Sequence, residues 1–278
     1  MKAADGKHAP APSSDIRTLA IDIGGTGLKA TVLDNGGRMM VERVRVPTPC
    51  PCRPAILLRT LERLIAPLIT FDRISIGFPG VIRGGRVITA PHFDTDAWRN
   101  YPLEVAAVRR FGKPARLLND AEVQGLGIIA GRGLEVVLTL GTGVGSAVFS
   151  EGRLTPHLEL AQHPIRKHKT YNDYIGSEAR LALSAKKWNR RVLRAVGIVD
   201  DLLHYDVLYL GGGNAAHITV DLPKNVRIAS NDAGLTGGIH LWDDAVWQVA
   251  RGGEAPHHNY HDAPLGRART TAAAVARS

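Results

Sequence analysis

The sequence predicts a duplicated α/β protein, two lobes each led by a strand–glycine turn–strand hairpin and facing each other across a cleft. Three observations carry this. The chain has 278 residues, enough for two lobes at roughly 100–200 residues per domain. Apolar strands alternate with helical periodicities through its middle. Two segments echo each other about 117 residues apart: Leu19-Ala-Ile-Asp-Ile-Gly-Gly-Thr-Gly-Leu-Lys-Ala-Thr-Val-Leu and Val136-Val-Leu-Thr-Leu-Gly-Thr-Gly-Val-Gly-Ser-Ala-Val-Phe. Each is followed by a Gly-Arg turn, Gly37-Arg38 and Gly152-Arg153. Chance likeness of two hairpins is the competing reading, and a spacing close to one lobe argues against it. The expected division is a disordered segment 1–16, an N-terminal α/β lobe 17–120, a C-terminal α/β lobe 121–250 and a disordered tail 251–278.

The elements follow in order. Leu19 to Ile23 and Leu28 to Leu33 are apolar strands. A helix starts at Pro54, where proline suits the first turn, with apolar residues at Ile56, Leu57, Leu61, Leu64 and Ile65. Ile74 to Phe78 is a strand that runs into the turn Pro79-Gly80, and residues 103–111 are helical. Ala115 to Leu118 is a buried strand delivering Asn119-Asp120, and a helix is expected from Ala121 to Ala130. The ends are Pro-rich (Ala9 to Ser14) or mix Gly, Pro, His and Ala without period (from Arg251).

Composition sets limits. Hydrophobic residues at 44% and charged residues at 22% exclude a mostly disordered or fibrous chain. Two cysteines cannot build a disulfide scaffold, so the expected compartment is the reducing cytoplasm. No signal peptide or membrane span is expected. The net charge is +9, of which residues 1–16 contribute nothing and residues 245–278, with four arginines and two acids, contribute +2. The densest positive stretch runs through Arg166, Lys167, Lys169, Lys186, Lys187, Arg190, Arg191 and Arg194. It reads either as a solvated helix face or as a track for a polyanion. Without interleaved aromatics or a nucleic-acid motif, nucleic acid is not the expected partner.

Five segments carry candidate chemistry. In Asp22-Ile-Gly24-Gly25-Thr26-Gly27 the glycines let backbone N–H groups approach an anion, with Thr26 adding a hydroxyl, Lys29 a charge and Asp22 a carboxylate for a phosphate-bound metal. Gly141-Thr142-Gly143-Val144-Gly145 offers a second cradle. Neither matches a P-loop, and neither precedes the helix that a dinucleotide fingerprint needs. Each also reads as a plain hairpin turn. Gly211-Gly212-Gly213 after an apolar strand suits a flat adenine ring, or is only a flexible strand exit. Asn119-Asp120 is a helix N-cap or a catalytic pair, Asp120 accepting a hydroxyl proton while Asn119 fixes the substrate. Glu159 and His163 form a polyol-binding pair, a metal pair or a surface turn. No zinc-like Cys/His spacing is present, so no structural zinc is expected, and Cys50-Pro51-Cys52 reads as an extended loop.

Taken in order, Asp22-Ile-Gly-Gly-Thr-Gly-Leu-Lys, Phe78-Pro-Gly-Val, Leu118-Asn-Asp-Ala, Leu140-Gly-Thr-Gly-Val-Gly-Ser and Gly211-Gly-Gly resemble the motifs of the ROK family of sugar kinases, most of all its polyphosphate-glucokinase branch. The resemblance runs from about Leu19 to Asp243. It implies an actin-like (ribonuclease H-like) two-lobed fold and transfer of a phosphoryl group from polyphosphate or ATP, with Mg2+, to the 6-hydroxyl of glucose or a related hexose. Asp120 would be the catalytic base. Asn119, Glu159, Gly80, His92, Gln162 or His163, and Glu178 would face the sugar. Asp22, Gly24, Gly25, Thr26 and Lys29, with Gly141, Thr142 and Gly143, would face the phosphates, Asp22 also the magnesium. Gly211, Gly212 and Gly213 would face a nucleotide.

The departures are specific. The family's Glu-x-Gly-His stands here as Glu159-Leu160-Ala161-Gln162, with His163 one place late. Its Pro-Asn-Leu stands as Pro91-His92-Phe93. These favour a second reading, a catalytically weak sugar-binding or sensing protein. Family repressors carry a helix-turn-helix ahead of the first strand, and none is expected in the residues before Leu19. A homodimer is the family-level expectation.

Overall fold

The computed structural model describes residues 16–250, apart from Asp94 and Asn231. The expected disordered ends, 1–16 and 251–278, lie outside the described residues except for Ile16. Two five-stranded sheets form the frame. The first contains β1 (Thr18–Ile23), β2 (Gly27–Leu33), β3 (Val44–Pro47), β4 (Arg73–Phe78) and β5 (Ala115–Asn119), in the order β3-β2-β1-β4-β5. The second contains β6 (Leu134–Leu140), β7 (Val144–Ser150), β8 (Arg153–Leu154), β9 (Val207–Gly211) and β10 (Val226–Ile228), in the order β8-β7-β6-β9-β10. In both, the first three strands are antiparallel neighbours and the last two run parallel to the first. The sequence echo is therefore a repeat of topology, as the actin-like two-lobed fold requires.

Strand period decides what each face buries. On the first sheet Leu19, Ile21, Ile23, Ile74, Ile76, Phe78 and Leu117 point to one side, where α1 (Pro54–Ile65) and α2 (Leu103–Phe111) cover them. Helix α1 begins on its proline and buries Leu57, Leu61, Leu64 and Ile65, the i, i+4, i+7, i+8 stripe of a core-facing helix. Trp98 seals the far end, stacked at a tilt on Phe78 at 4.9 Å, its indole N–H donating to the Cys52 carbonyl at 2.7 Å. On the second sheet Val136, Leu138, Leu140, Leu208 and Leu210 pack on the long helix α6 (Ala185–Leu203) through Trp188, Val192, Val196 and Val199. Two short helices, α4 (Tyr171–Ile175) and α5 (Ser177–Ala182), lead into it.

Between the two sheets lies α3 (Asp120–Leu126), which ends sooner than expected. Gly127 follows it, where a methyl would lie 2.9 Å from the Ala233 carbonyl oxygen and 3.0 Å from Gly237, so glycine lets the returning chain pack against the end of α3. Val123 and Leu126 of α3 share one core with Leu118 of the first sheet and Val137, Ala147, Phe149 and Tyr209 of the second. The chain then returns. Helix α7 (Ala233–Thr236) and a 3-10 turn over Gly237–Trp242 lie on the inner face of the first sheet, where Ser75 donates to the Gly238 carbonyl at 2.6 Å and Trp242 donates to Ser75 at 2.9 Å. A methyl on Gly237 would sit 1.9 Å from the Val123 carbonyl oxygen, so only glycine permits this approach to α3. Residues 233–242 thus pack with the first sheet, although they follow the second in sequence. A last helix, α8 (Asp244–Ala250), closes the described chain. No helix among the described residues is long and apolar enough to cross a membrane.

Candidate active site

The carboxyl ends of the parallel strands converge on a cleft of about 430 Å3 between the sheets. Such ends are where open α/β sheets hold ligands. Register explains the convergence: Asp22 pairs with Gly77, Gly77 with Leu118 and Phe78 with Asn119, so β1, β4 and β5 finish side by side. From the other sheet Thr139 on β6 pairs with Gly211 on β9. Of the expected residues, Asp22, Gly24, Gly25, Thr26, Lys29, Gly80, His92, Asn119, Asp120, Gly141, Thr142, Gly143, Glu159, Gly212 and Gly213 all line this cleft.

Asp120 begins α3 at the end of β5. Burial pushes its pKa from 3.8 to about 7, and the negative charges of Asp22, Glu122 and Glu159 add to the rise, while the Ala121 N–H, 2.9 Å from Oδ1, pulls it back. A carboxylate titrating near 7 is poised to take a proton. Asn119 caps the same helix. Its Oδ1 accepts from the Ala121 and Glu122 N–H groups at 2.9 and 3.3 Å, and Nδ2 donates to the Gly80 carbonyl at 3.1 Å. Its amide thereby ties the Pro79-Gly80 turn to the start of α3. The capping half of the alternative holds, and the same cap aims Asp120 into the cleft.

The two glycine turns face each other. Gly24 N donates to Gly27 O at 3.0 Å in the first, and Gly141 N to Gly143 O at 2.9 Å in the second. A methyl on Gly25 would come within 3.3 Å of the Thr142 side chain and 3.4 Å of the His92 ring. One on Gly143 would meet His92 Nε2 at 2.6 Å and Asn172 Oδ1 at 2.9 Å. His92, expected as a sugar contact, thus sits between the turns. Its pKa is lowered by desolvation, with Glu159 pulling weakly the other way, so the ring is neutral at pH 7. Asn172 Oδ1 accepts from Val144 N at 2.7 Å, and Ser177 donates to Gly141 O at 2.7 Å, fixing the second turn from α4 and α5.

Several expected residues stand elsewhere. Gln162 and His163 are exposed and do not line the cleft, and neither does the exposed Glu178. Gly211 lies buried behind the cleft wall, against Gln124. Gly212, at φ 79°, turns the strand end toward the opening.

The sequence reading missed a buried charge network. His157 Nδ1 lies 2.8 Å from Glu122 Oε1, and its Nε2 lies 3.6 Å from Glu159 Oε2, outside hydrogen-bond reach. Burial draws the His157 pKa down, but the hydrogen bond to Glu122 and the charges of Glu122 and Glu159 outweigh it and push it up to about 9. His157 is therefore a cation at neutral pH. Glu122 also accepts from Asn119 N at 3.2 Å, so one histidine links the Asp120 helix start to Glu159. Arg43 and Arg45, flanking and within β3, were missed as well. Both line the cleft, and Arg45 lies against Gly27. Among the described residues no group of three His, Cys, Asp or Glu side chains is placed to hold a metal by itself. Asp22 offers one hard oxygen donor, 2.8 Å from Lys29 Nζ, at the foot of the first turn. This fits Mg2+, which takes one or two carboxylates and completes its shell from phosphates and water.

Comparison with known proteins finds likeness of sequence and of fold. A model of the ROK family matches residues 18–156. The chain is 28% identical over 221 residues to a polyphosphate glucokinase of Mycobacterium tuberculosis, covering 74% of this chain and 81% of that one. It is 34% identical over 152 residues to an N-acetylmannosamine kinase of Citrobacter koseri, 52% of each chain. Among solved structures, an inorganic polyphosphate/ATP-glucomannokinase from an Arthrobacter species superimposes with a TM-score of 0.75 at 28% identity, over 81% of this chain and 97% of that one. A ROK family glucokinase from Streptomyces griseus, solved with glucose and AMPPNP, gives 0.69 at 18% identity over 81% and 98%, a likeness of fold.

Proposed function

The chain belongs to the ROK family and is a sugar kinase, a phosphotransferase with an alcohol acceptor; from that premise we propose that it phosphorylates the 6-hydroxyl of glucose or a closely related hexose, with polyphosphate or ATP as donor. The observation that carries the reading is Asp120: a desolvated carboxylate with a pKa near 7, in one cleft with both glycine turns. In the proposed reaction its carboxylate accepts the hydroxyl proton as that oxygen attacks the terminal phosphorus. Phosphoryl transfer asks the protein mainly for positioning and charge neutralisation. Glu159 and the Gly80 turn hold the sugar, with Asn119 locking the turn. The N–H groups of the turns at Gly24–Thr26 and Gly141–Gly143 face the donor phosphates, with Lys29, Arg43 and Arg45 supplying positive charge. Asp22 would hold Mg2+, which neutralises developing charge on the donor when bound.

Glucose is supported by the relative named a polyphosphate glucokinase, and an N-acetylated sugar by the relative named an N-acetylmannosamine kinase. A coupled assay offering glucose, mannose, N-acetylmannosamine and N-acetylglucosamine against ATP and polyphosphate tests the proposal. Turnover of glucose or mannose at least tenfold above the acetylated sugars supports it. Preference for an acetylated sugar, or no turnover with any pair, overturns it.

A further inference from the structure

The densest positive charge stands outside the cleft. A hairpin of Pro164–Arg166 and Lys169–Thr170, with α4 and α6, encloses a second cavity of about 680 Å3. Arg166, Lys167, Lys169, Lys187, Arg190 and Arg194 line it, with Arg191 and Tyr174 in its wall and no carboxylate in its lining. The acid next to it in sequence, Asp173, is committed to the cap of α4, where its Oδ2 accepts from Thr170 N and Oγ1 at 2.9 Å each. None of the seven cations forms an ion pair among the described residues. Mutual repulsion of this kind costs stability unless a counter-charge arrives.

The cluster is organised. Lys187, Arg190, Arg191 and Arg194 fall at i, i+3, i+4 and i+7 on α6, one stripe about 10 Å long at 1.5 Å per residue. The opposite stripe, Trp188, Val192, Ala195 and Val199, is core. Arg191 is pinned, its guanidinium 4.6 Å from the Tyr174 ring centroid and donating to the Tyr174 carbonyl at 3.2 Å. Burial would raise the Tyr174 pKa, but Arg166 and Arg194 outweigh it and lower it. A stripe suits a linear polyanion better than a single phosphate. Tyr174 is 5% exposed, and the exposed His168 imidazole is the one other ring in the lining, so no row of aromatic faces stands ready to stack successive bases, which weighs against single-stranded nucleic acid. The groove also adjoins the reaction site: the segment carrying Tyr174 holds Val144 N through Asn172 and Gly141 O through Ser177.

We infer that this groove binds the body of a linear inorganic polyphosphate chain, at a site separate from the cleft in which the chain's terminal phosphoryl group reacts. It rests on the reading that a phosphate chain is a donor. The test compares the full-length protein with the double variant Lys187→Gln/Arg190→Gln, whose changed side chains point away from the core. Binding of long-chain polyphosphate is titrated over a range of salt, and kinetics are run with long-chain polyphosphate, tripolyphosphate and ATP. The variant is expected to bind the long chain about tenfold more weakly at low salt, and its log–log salt slope should flatten by about 1.4, at roughly 0.7 per contacted phosphate for a single strand. The KM for long-chain polyphosphate should rise about tenfold with that for tripolyphosphate and ATP unchanged. Unchanged long-chain binding, an equal loss with all three donors, or tighter binding of single-stranded DNA than of polyphosphate at equal phosphate would each overturn the inference. If no donor supports turnover, the kinase reading fails, and the binding titration still decides the groove.

Discussion

The two halves of the molecule build one scaffold with different side chains at equivalent places. In each, a central strand runs directly into a glycine turn, and two residues before the first glycine stand Asp22 in the first half and Thr139 in the second. Asp22 takes the charge of Lys29 at 2.8 Å, whereas Thr139 accepts from its own turn, the Gly145 N–H, at 3.1 Å. The last parallel strand of the first sheet delivers Asn119 and Asp120, and its counterpart β10 delivers only Ala229 and Ser230. The neighbouring strands end in Pro79-Gly80 on one side and Gly212-Gly213 on the other. Asp22 and Asp120 stand in the first half, where the equivalent places of the second hold Thr139 and Ser230, while both halves bring a glycine turn to the cleft. A duplicated fold can therefore differentiate its copies: in the proposed reaction one copy supplies the base, and the turns of both face the donor.

The most severe way to break this division is Asp120→Asn. Turnover is expected to fall by at least about 10³-fold, within the usual range for a general base, while calorimetry still detects sugar binding. The sign of its stability effect is also fixed. Because the folded pKa of Asp120 is raised, the proton it holds stabilises the wild type below about pH 4, and that contribution is lost as pH rises through 7. The Asn variant should match the wild type in stability near pH 4 and exceed it at pH 8 by up to about 4 kcal/mol, read as a higher thermal midpoint at pH 8 alone. A variant less stable than wild type at pH 8 would contradict the buried carboxylate. In the wild type, kcat/KM should rise with a single ionisation near pH 7, which a pH–rate profile reads directly.

Next comes His157→Gln, which leaves Glu122 and Glu159 without their cation. Removing one member of a buried ion pair typically costs about 3 kcal/mol, so the thermal midpoint at pH 7 should drop by several degrees. His157 has a raised pKa, so its contribution is full below about pH 6.5 and disappears as pH passes 9. The difference between variant and wild type should shrink accordingly at pH 10. A constant gap would mean that packing, not charge, is lost.

Two glycine variants sharpen the comparison of the turns. Gly143→Ala drives a methyl to 2.6 Å from His92, whereas Gly25→Ala meets the Thr142 side chain at 3.3 Å, a tight contact that a shift of a few tenths of an ångström relieves. The first should lower kcat/KM for the donor by about 30-fold and the second by only about 3-fold, since a displacement of 1 Å can cost 10²-fold. Equal losses would argue that the turns contribute alike. The smallest effect is expected of His92→Ala, about 2-fold on the same constant, because a neutral ring between the turns supplies contact and no charge.

How much of this was legible before coordinates follows from the range of each interaction. The hairpins, the Asn119-Asp120 strand end and α1 were legible because alternation, glycine and proline act within a few residues. The packing of Ala233 and Gly237 against Gly127 at the end of α3 was not, because those residues are more than a hundred positions away. Glu122 and His157 lie 35 residues apart with no motif between them, and only the register of β6 with β7 brings their segments together. Arg45 enters the cleft because β3 pairs it with Lys29, a fact of sheet register that charge counting misses. Gln162 and His163 show the reverse error: a motif position identified a residue that the chain turns outward.

The strap from Ala233 to Trp242 has a consequence for biosynthesis. It covers the inner face of the first sheet at Ala20, Leu33 and Ser75, yet it is translated some two hundred residues after β1. As the polypeptide leaves the ribosome, the leading half has no partner for that apolar side until nearly all the rest has been made. Completion of the earliest sheet waits on the latest helices, so a nascent chain stalled before residue 233 would present a sticky intermediate, the kind of species that holdase chaperones shield.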